Sequence, residues 1–166
     1  MIAAGDVVHY SLDGVCEVSG IVEKKLGEQL RRFYQLHPLY RKNSVIYLPT
    51  DNEMLLSRVR PVLTKEEVLT AISEINEVDS VWIDADAARK EVFQQIIRSG
   101  EHRQLISLVK TLYERKAVMQ EDGRKLRSAD SSFLKDAERL INEEFAYVLG
   151  IDPGDVPNYI KERIRK

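Results

Sequence analysis

The chain has 166 residues, 43% of them hydrophobic and 31% charged, with 25 basic side chains against 27 acidic ones for a formal net charge of −2. A chain of this length buries about two-thirds of its unfolded surface and needs no disulfide or metal staple. Its near-neutral balance excludes coating of nucleic acid through bulk charge but leaves room for a localised basic face. Cys16 is the single cysteine, which excludes an intramolecular disulfide and the cysteine-rich zinc frameworks and fits a reducing compartment. The opening Met1-Ile2-Ala3-Ala4-Gly5-Asp6 has no basic segment followed by an apolar run. Nothing approaches the roughly 18 apolar residues of a spanning helix. A cytoplasmic protein without membrane contact is expected.

From Asp6 to about Val62 apolar residues come in short β-branched and aromatic runs separated by turn residues. Val7-Val8-His9-Tyr10 is the first strand, and Ser11-Leu12-Asp13-Gly14 is a turn signal. Val15-Cys16-Glu17-Val18 resumes with inside/outside alternation and extends as far as Ile21-Val22. Lys24 to Arg31, around Gly27, reads as a polar hairpin tip, and Arg32 to Leu36 as a third strand ended by Pro38. Val45-Ile46-Tyr47-Leu48 closes at Pro49, and Met54 to Val62 supplies the last strand. Five short strands in about 60 residues imply a small barrel, because closure removes exposed edges.

After Val62 the period changes from two to about three and a half. Thr64-Lys65-Glu66-Glu67 has capping-box spacing and leads a helix with Val68, Leu69, Ile72 and Ile75 on one face. A second helix begins near Asp84 or Asp86, buries Ala88, Val92, Phe93, Ile96 and Ile97, and stops at Ser99-Gly100. A third carries Leu105, Ile106, Leu108, Val109, Leu112 and Tyr113 and breaks at Gly123. A fourth runs from Ser128 to Gly150, and Asp152-Pro153 starts a short terminal helix. The change of period sets a boundary between residues 1–62 and 63–166, and the fold class is α+β, a five-stranded barrel followed by an all-α domain.

Catalytic patterns are absent: there is no Gly-rich phosphate loop, glycine-flanked serine or His-Glu-x-x-His. No catalytic residue, metal site or cofactor is expected. His9, His37 and His102 are scattered and read as ordinary surface or half-buried side chains. The adjacent Glu143 and Glu144 point about 100° apart on a helix and read as a solvated face. Cys16 reads as a small core residue.

What remains is surface. Residues 86–127 hold ten basic side chains (Arg89, Lys90, Arg98, Arg103, Lys110, Arg115, Lys116, Arg124, Lys125, Arg127) against six acidic ones, and residues 128–160 hold two against seven. The basic stretch is either a solvated helix face or a set of phosphate contacts, which position a protein on DNA without reading sequence. Trp82, the only tryptophan, lies in the turn-like Asp79–Asp84 stretch. It is either a packing anchor or an exposed wedge that stacks on a base step.

Several motifs carry a resemblance. Gly5-Asp6-x-Val8-x-Tyr10-x-x-x-Gly14-Val15, Tyr47-Leu48-Pro49 followed by Asp51-Asn52, and Arg58-x-Arg60-Pro61 resemble the RNA-polymerase-interacting barrel of the CarD/CdnL bacterial transcription regulators, shared with transcription-repair coupling factors. Arg89, Ser99-Gly100-Glu101, Leu105 to Tyr113 and Ala137 to Phe145 are similar to that family's helical C-terminal domain. The resemblance implies a Tudor-like barrel that docks on the β-subunit lobe of RNA polymerase. It also implies a helical domain that contacts promoter DNA at the upstream edge of the bubble and stabilises the open complex with an aromatic wedge.

Carried onto this chain, the resemblance puts Lys24 and Tyr47 at the polymerase-facing positions, with Tyr47 standing where well-known members are basic. It makes Trp82 the wedge candidate, about four residues farther from Ser99-Gly100 than the family pattern has it. Arg89, Lys90, Lys110 and Arg115 fall on basic positions, with Lys116 and the Arg124-Lys125-x-Arg127 cluster beside them, whereas Glu114 replaces an often basic residue. The modest charge implies weak, largely sequence-independent DNA contact by a monomer that polymerase holds in place, since linking two weak contacts raises effective concentration. The alternative is an adaptor that uses both parts for protein contacts alone.

Overall fold

In the computed structural model, which describes residues 2–164, the strand-forming and helix-forming parts of the chain separate into two units, residues 1–62 and residues 63–166. The first contains β1 (Val7–Tyr10), β2 (Gly14–Leu26), β3 (Gln29–Pro38), β4 (Ile46–Pro49), the one-turn helix α1 (Glu53–Leu56) and β5 (Val59–Pro61). All pairings are antiparallel, in the order β4-β3-β2-β1-β5. Among the described residues no ladder joins β4 to β5, so the sheet is open where a closed barrel was expected. The ends that would have to pair are short and finish in Pro49 and Pro61, which have no N–H to donate.

The segment expected to begin the last strand forms α1 instead, because the Asn52 side chain accepts a hydrogen bond from the Leu55 amide and caps the turn. Leu55 and Leu56 then pack on the core made by Val8, Tyr10, Cys16, Val18, Leu36 and Leu48. Cys16 is fully buried, as a small core residue should be. His9 is also fully buried, contrary to the surface or half-buried position expected, because β1 and the start of β2 are covered on both faces.

The expected hairpin tip over Lys24–Arg31 is ladder almost to its end. Glu23↔Arg32, Lys24↔Arg31, Lys25↔Leu30 and Leu26↔Gln29 all pair, which leaves only Gly27 and Glu28 in the turn. Gly27 has φ +65, the conformation a tight primed turn demands at its first central position. A bulge between Val18 and Gly20 shifts the register, and Gly20 at φ +139 adopts a backbone that side-chain-bearing residues avoid.

The second unit contains α2 (Lys65–Ser73), α3 (Asp86–Ser99), α4 (His102–Glu121), α5 (Ser128–Leu149) and α6 (Val156–Ile164). The Thr64 hydroxyl accepts from the Glu67 amide and the Glu67 carboxylate from the Thr64 amide, so the capping box forms. Gly100 and Gly150 end α3 and α5 in the left-handed conformation. Helix α5 packs against α2, α3, α4 and α6, and its Leu134, Ala137, Leu140, Ile141 and Phe145 run through the core with Phe93, Leu105, Leu108 and Leu112. Burying a side chain such as Phe145 stabilises by about 1.5–3 kcal/mol.

Two expected faces differ. Helix α3 turns Arg89, Phe93 and Ile97 inward and leaves Ala88 and Val92 exposed, an i, i+4, i+8 stripe that follows from the partner found for Arg89 below. Tyr113 is 47% exposed. Glu143 and Glu144, expected on a solvated face, are buried: Glu144 Oε2 accepts from the Leu63 amide at 3.0 Å, and Glu143 pairs with Arg139 at 3.2 Å. No described helix is long and apolar enough to cross a membrane.

Candidate functional site

Two surfaces hold the residues singled out from the sequence, one on each unit. On the sheet, Val22, Lys24 and Leu26 share a face with Phe33, Arg31 and Gln29 through the β2–β3 register, and Tyr47 stands opposite Gln35 on the edge strand β4. The Lys24 ammonium lies 3.4 Å from the centroid of the Tyr47 ring. Tyr47 meets Phe33 edge to face, with centroids 6.4 Å apart at 78°. Lys24 and Tyr47 thus form one patch with the buried Phe33 beneath it, and the tyrosine holds a cation above its ring.

Arg31, which sequence reasoning passed over, belongs to the same patch. It faces Lys24 across the ladder and reaches Asp51 at 3.4 Å in the loop after β4. Its signal was symmetry about the Gly27-Glu28 turn, since a two-residue turn pairs residues equidistant from its centre. The hairpin end carries two further exposed apolar side chains, Leu26 at 53% and Leu30 at 68%.

On the helical unit the loop between α2 and α3 holds Trp82, and α4 holds the loop. Ser107 Oγ donates to the Asp79 carbonyl at 2.6 Å, and Lys110 Nζ donates to the carbonyls of Ile75 and Val78 at 3.1 and 2.6 Å. The Val81 amide donates to Thr111 Oγ1 at 2.9 Å, and Ser80 Oγ donates to Glu114 at 2.6 Å. Lys110, expected to meet DNA, spends two of its three donors inside the fold. Glu114 has a positioning task of its own.

Arg89 is likewise turned inward. It is 4% exposed: Nε and Nη2 donate to the two oxygens of Asp130 at 3.1 and 3.0 Å, Nη2 also to Asp86 at 2.8 Å, and Nη1 to the carbonyls of Ile83 and Asp84. The Asp130 carboxylate beside it, then Asp86, raise the Arg89 pKa further, so it stays charged. The hydrogen bond from Arg89, with Arg127 also close, holds the Asp86 carboxyl below the usual carboxylate range. A buried guanidinium saturated in this way joins α3 to α5 and has no donor left for a phosphate.

Trp82 is half-buried against the helical core, and its Nε1 donates to Asp84 at 3.0 Å. Two guanidiniums lie over its ring, with Arg89 Cζ at 4.4 Å and Arg115 Cζ at 4.7 Å from the centroid. Lys90, Lys116, Arg124, Lys125 and Arg127 are exposed. Of these, Arg127 pairs with Asp86 and Arg124 approaches Asp122 at 3.5 Å. The structure therefore brings Trp82, Arg89, Arg115, Arg124 and Arg127 around one polar cavity of about 130 Å³ and leaves Lys110 behind the loop. Among the described residues no group of three or more His, Cys, Asp or Glu side chains could hold a metal ion.

Residues 2–60 match the family model of the CarD-like/TRCF RID domain. The match covers the whole five-stranded sheet except its last residue, Pro61, and agrees with the family resemblance read from the sequence. The helical unit that follows fits the same resemblance. No curated protein matches the chain.

Proposed function

We propose that this CarD-like protein is a non-enzymatic, monomeric, cytoplasmic transcription regulator. Its RID domain, read as a Tudor-like module, docks on the lobe of the RNA polymerase β subunit. Its helical unit contacts promoter DNA at the upstream edge of the bubble and stabilises the open complex. The observation that carries the reading is the RID match over residues 2–60. The Lys24–Tyr47 patch supports it, because cations beside an aromatic edge suit an acidic protein surface.

On the helical unit the exposed cations Lys90, Lys116, Arg124, Lys125 and Arg127, with Arg115 beside Trp82, supply the DNA contact. Arg89 and Lys110 act behind them by fixing the Trp82 loop. Weak phosphate contacts suffice for a protein already tethered to polymerase.

A second reading, an adaptor that contacts proteins alone, draws on the inward commitment of Arg89 and Lys110 and the cover over Trp82. Promoter-complex lifetime with purified polymerase, with and without the protein, tests the first reading. A longer lifetime that shortens steeply as salt rises supports DNA contact. Binding to polymerase with no change in lifetime favours the adaptor, and absence of binding overturns both.

A further inference from the structure

We propose that Arg115 is a movable cover on Trp82 that a phosphate group draws away, so that anion binding and exposure of the indole are coupled. The inference rests on the nucleic-acid contact proposed above and deepens it by assigning the site and the moving part.

The two guanidiniums over Trp82 are held very differently. Arg89 has hydrogen bonds at Nε, Nη1 and Nη2 and stays where it is. The Arg115 side chain makes no hydrogen bond or ion pair among the described residues, and its Nε is buried without a partner. A buried N–H with no acceptor has lost its water and gained nothing, so only the contact with the ring keeps this side chain in place. Planar, weakly hydrated guanidinium exchanges readily between an aromatic face and a phosphate, which it can grip with two parallel hydrogen bonds.

The cavity beside the ring fits that exchange. Its acids are already engaged: Asp130 and Asp86 accept from Arg89, Asp86 also from Arg127, and Asp84 from Trp82 Nε1. The side toward Arg115 is completed by the exposed Arg124 and Arg127. A phosphodiester oxygen there satisfies the orphaned Arg115 donor, and departure of Arg115 uncovers part of the indole for stacking on a base. Trp82 is then an anchor in the free protein and an available aromatic surface only where phosphate is present.

Because Trp82 is the only tryptophan, its emission reports on this residue alone. Acrylamide, which is neutral and does not compete for cations, measures its exposure in the full-length protein with and without inorganic pyrophosphate at matched ionic strength. Pyrophosphate is expected to raise the quenching constant about twofold. Arg115→Met keeps the apolar stem and is expected to show the raised constant from the start with no further response. Arg115→Lys retains charge without the fork and should respond at several-fold higher pyrophosphate. A wild-type constant that pyrophosphate leaves unchanged overturns the proposal, as does Arg115→Met behaving as wild type. If pyrophosphate uncovers Trp82 but the protein leaves promoter-complex lifetime unaltered, the DNA-contact reading fails while the cover stands.

Discussion

Lys24 and Arg31 face each other across the β2–β3 ladder as like charges, and each is drawn aside by a different partner, Lys24 over the Tyr47 ring and Arg31 to Asp51. Like charges directly opposite one another are unfavourable in a sheet, so the pair is kept apart by what stands on β4 and just beyond it. Lys24→Glu replaces repulsion with attraction but loses the cation–π contact, and the two changes offset to within about 0.5 kcal/mol. The expected outcome is an unchanged melting temperature and at least tenfold weaker binding to the polymerase β subunit, measured with the full chain. Unaltered binding would remove Lys24 from the docking surface.

Asp130 is the buried partner of Arg89, with side-chain exposures of 6% and 5%. Asp130→Ala leaves a buried cation short of its main acceptor and should cost about 3 kcal/mol. Urea unfolding of the full chain measures it. Asp86→Ala removes an exposed acceptor of the same guanidinium and should cost far less.

Acid acts through Asp86. Its pKa is lowered in the fold from 3.8, first by the hydrogen bond from Arg89, so the unfolded chain takes up the proton more readily. The stabilisation is present above the unfolded value and is lost as pH falls through the lowered folded one. A thermal series from pH 5 downward should show stability declining in that window, and Asp86→Asn should flatten part of the decline.

Alkali acts through Tyr113, half-exposed, whose pKa is pushed up to about 12 first by partial desolvation where it packs and then by its hydrogen bond with Glu138. Unfolding releases this proton at a lower pH than the native state does, so the contribution is intact below pH 10 and is lost as pH rises toward 12. Absorbance titration should find one phenol ionising near 12, and Tyr113→Phe should remove that late step.

Local features were legible in the sequence where neighbours along the chain decide the structure. The capping box at Thr64 and Glu67 and the glycines ending α3 and α5 are set by backbone groups within a few residues. The second and third strands were legible as far as Ile21-Val22 and again from Arg32, and between those points the ladder runs on past the bulge near Gly20 into residues that looked like a loop. Nothing in a polar stretch tells a long charged ladder from a solvated tip, because both are polar on each face. For the candidate site, Trp82 and the basic stretch were identifiable, but their division of labour was not. Arg89 finds its acid 41 residues away and Lys110 its carbonyls 32 and 35 residues back. Those contacts turn two apparent surface cations into internal ones.

The tethers of the Trp82 loop leave α4 at positions 107, 110, 111 and 114, a polar stripe of one helical face. The indole is thus indexed to α4 as well as to Arg89 on α3, the helix that follows it in the chain. One residue inserted between 107 and 114 would rotate part of the stripe by about 100° and release the loop. Distance along the sequence to the Ser99-Gly100 break is therefore an incomplete ruler for locating an aromatic tip in such proteins, and the serine, lysine, threonine and glutamate spacing on the next helix completes it.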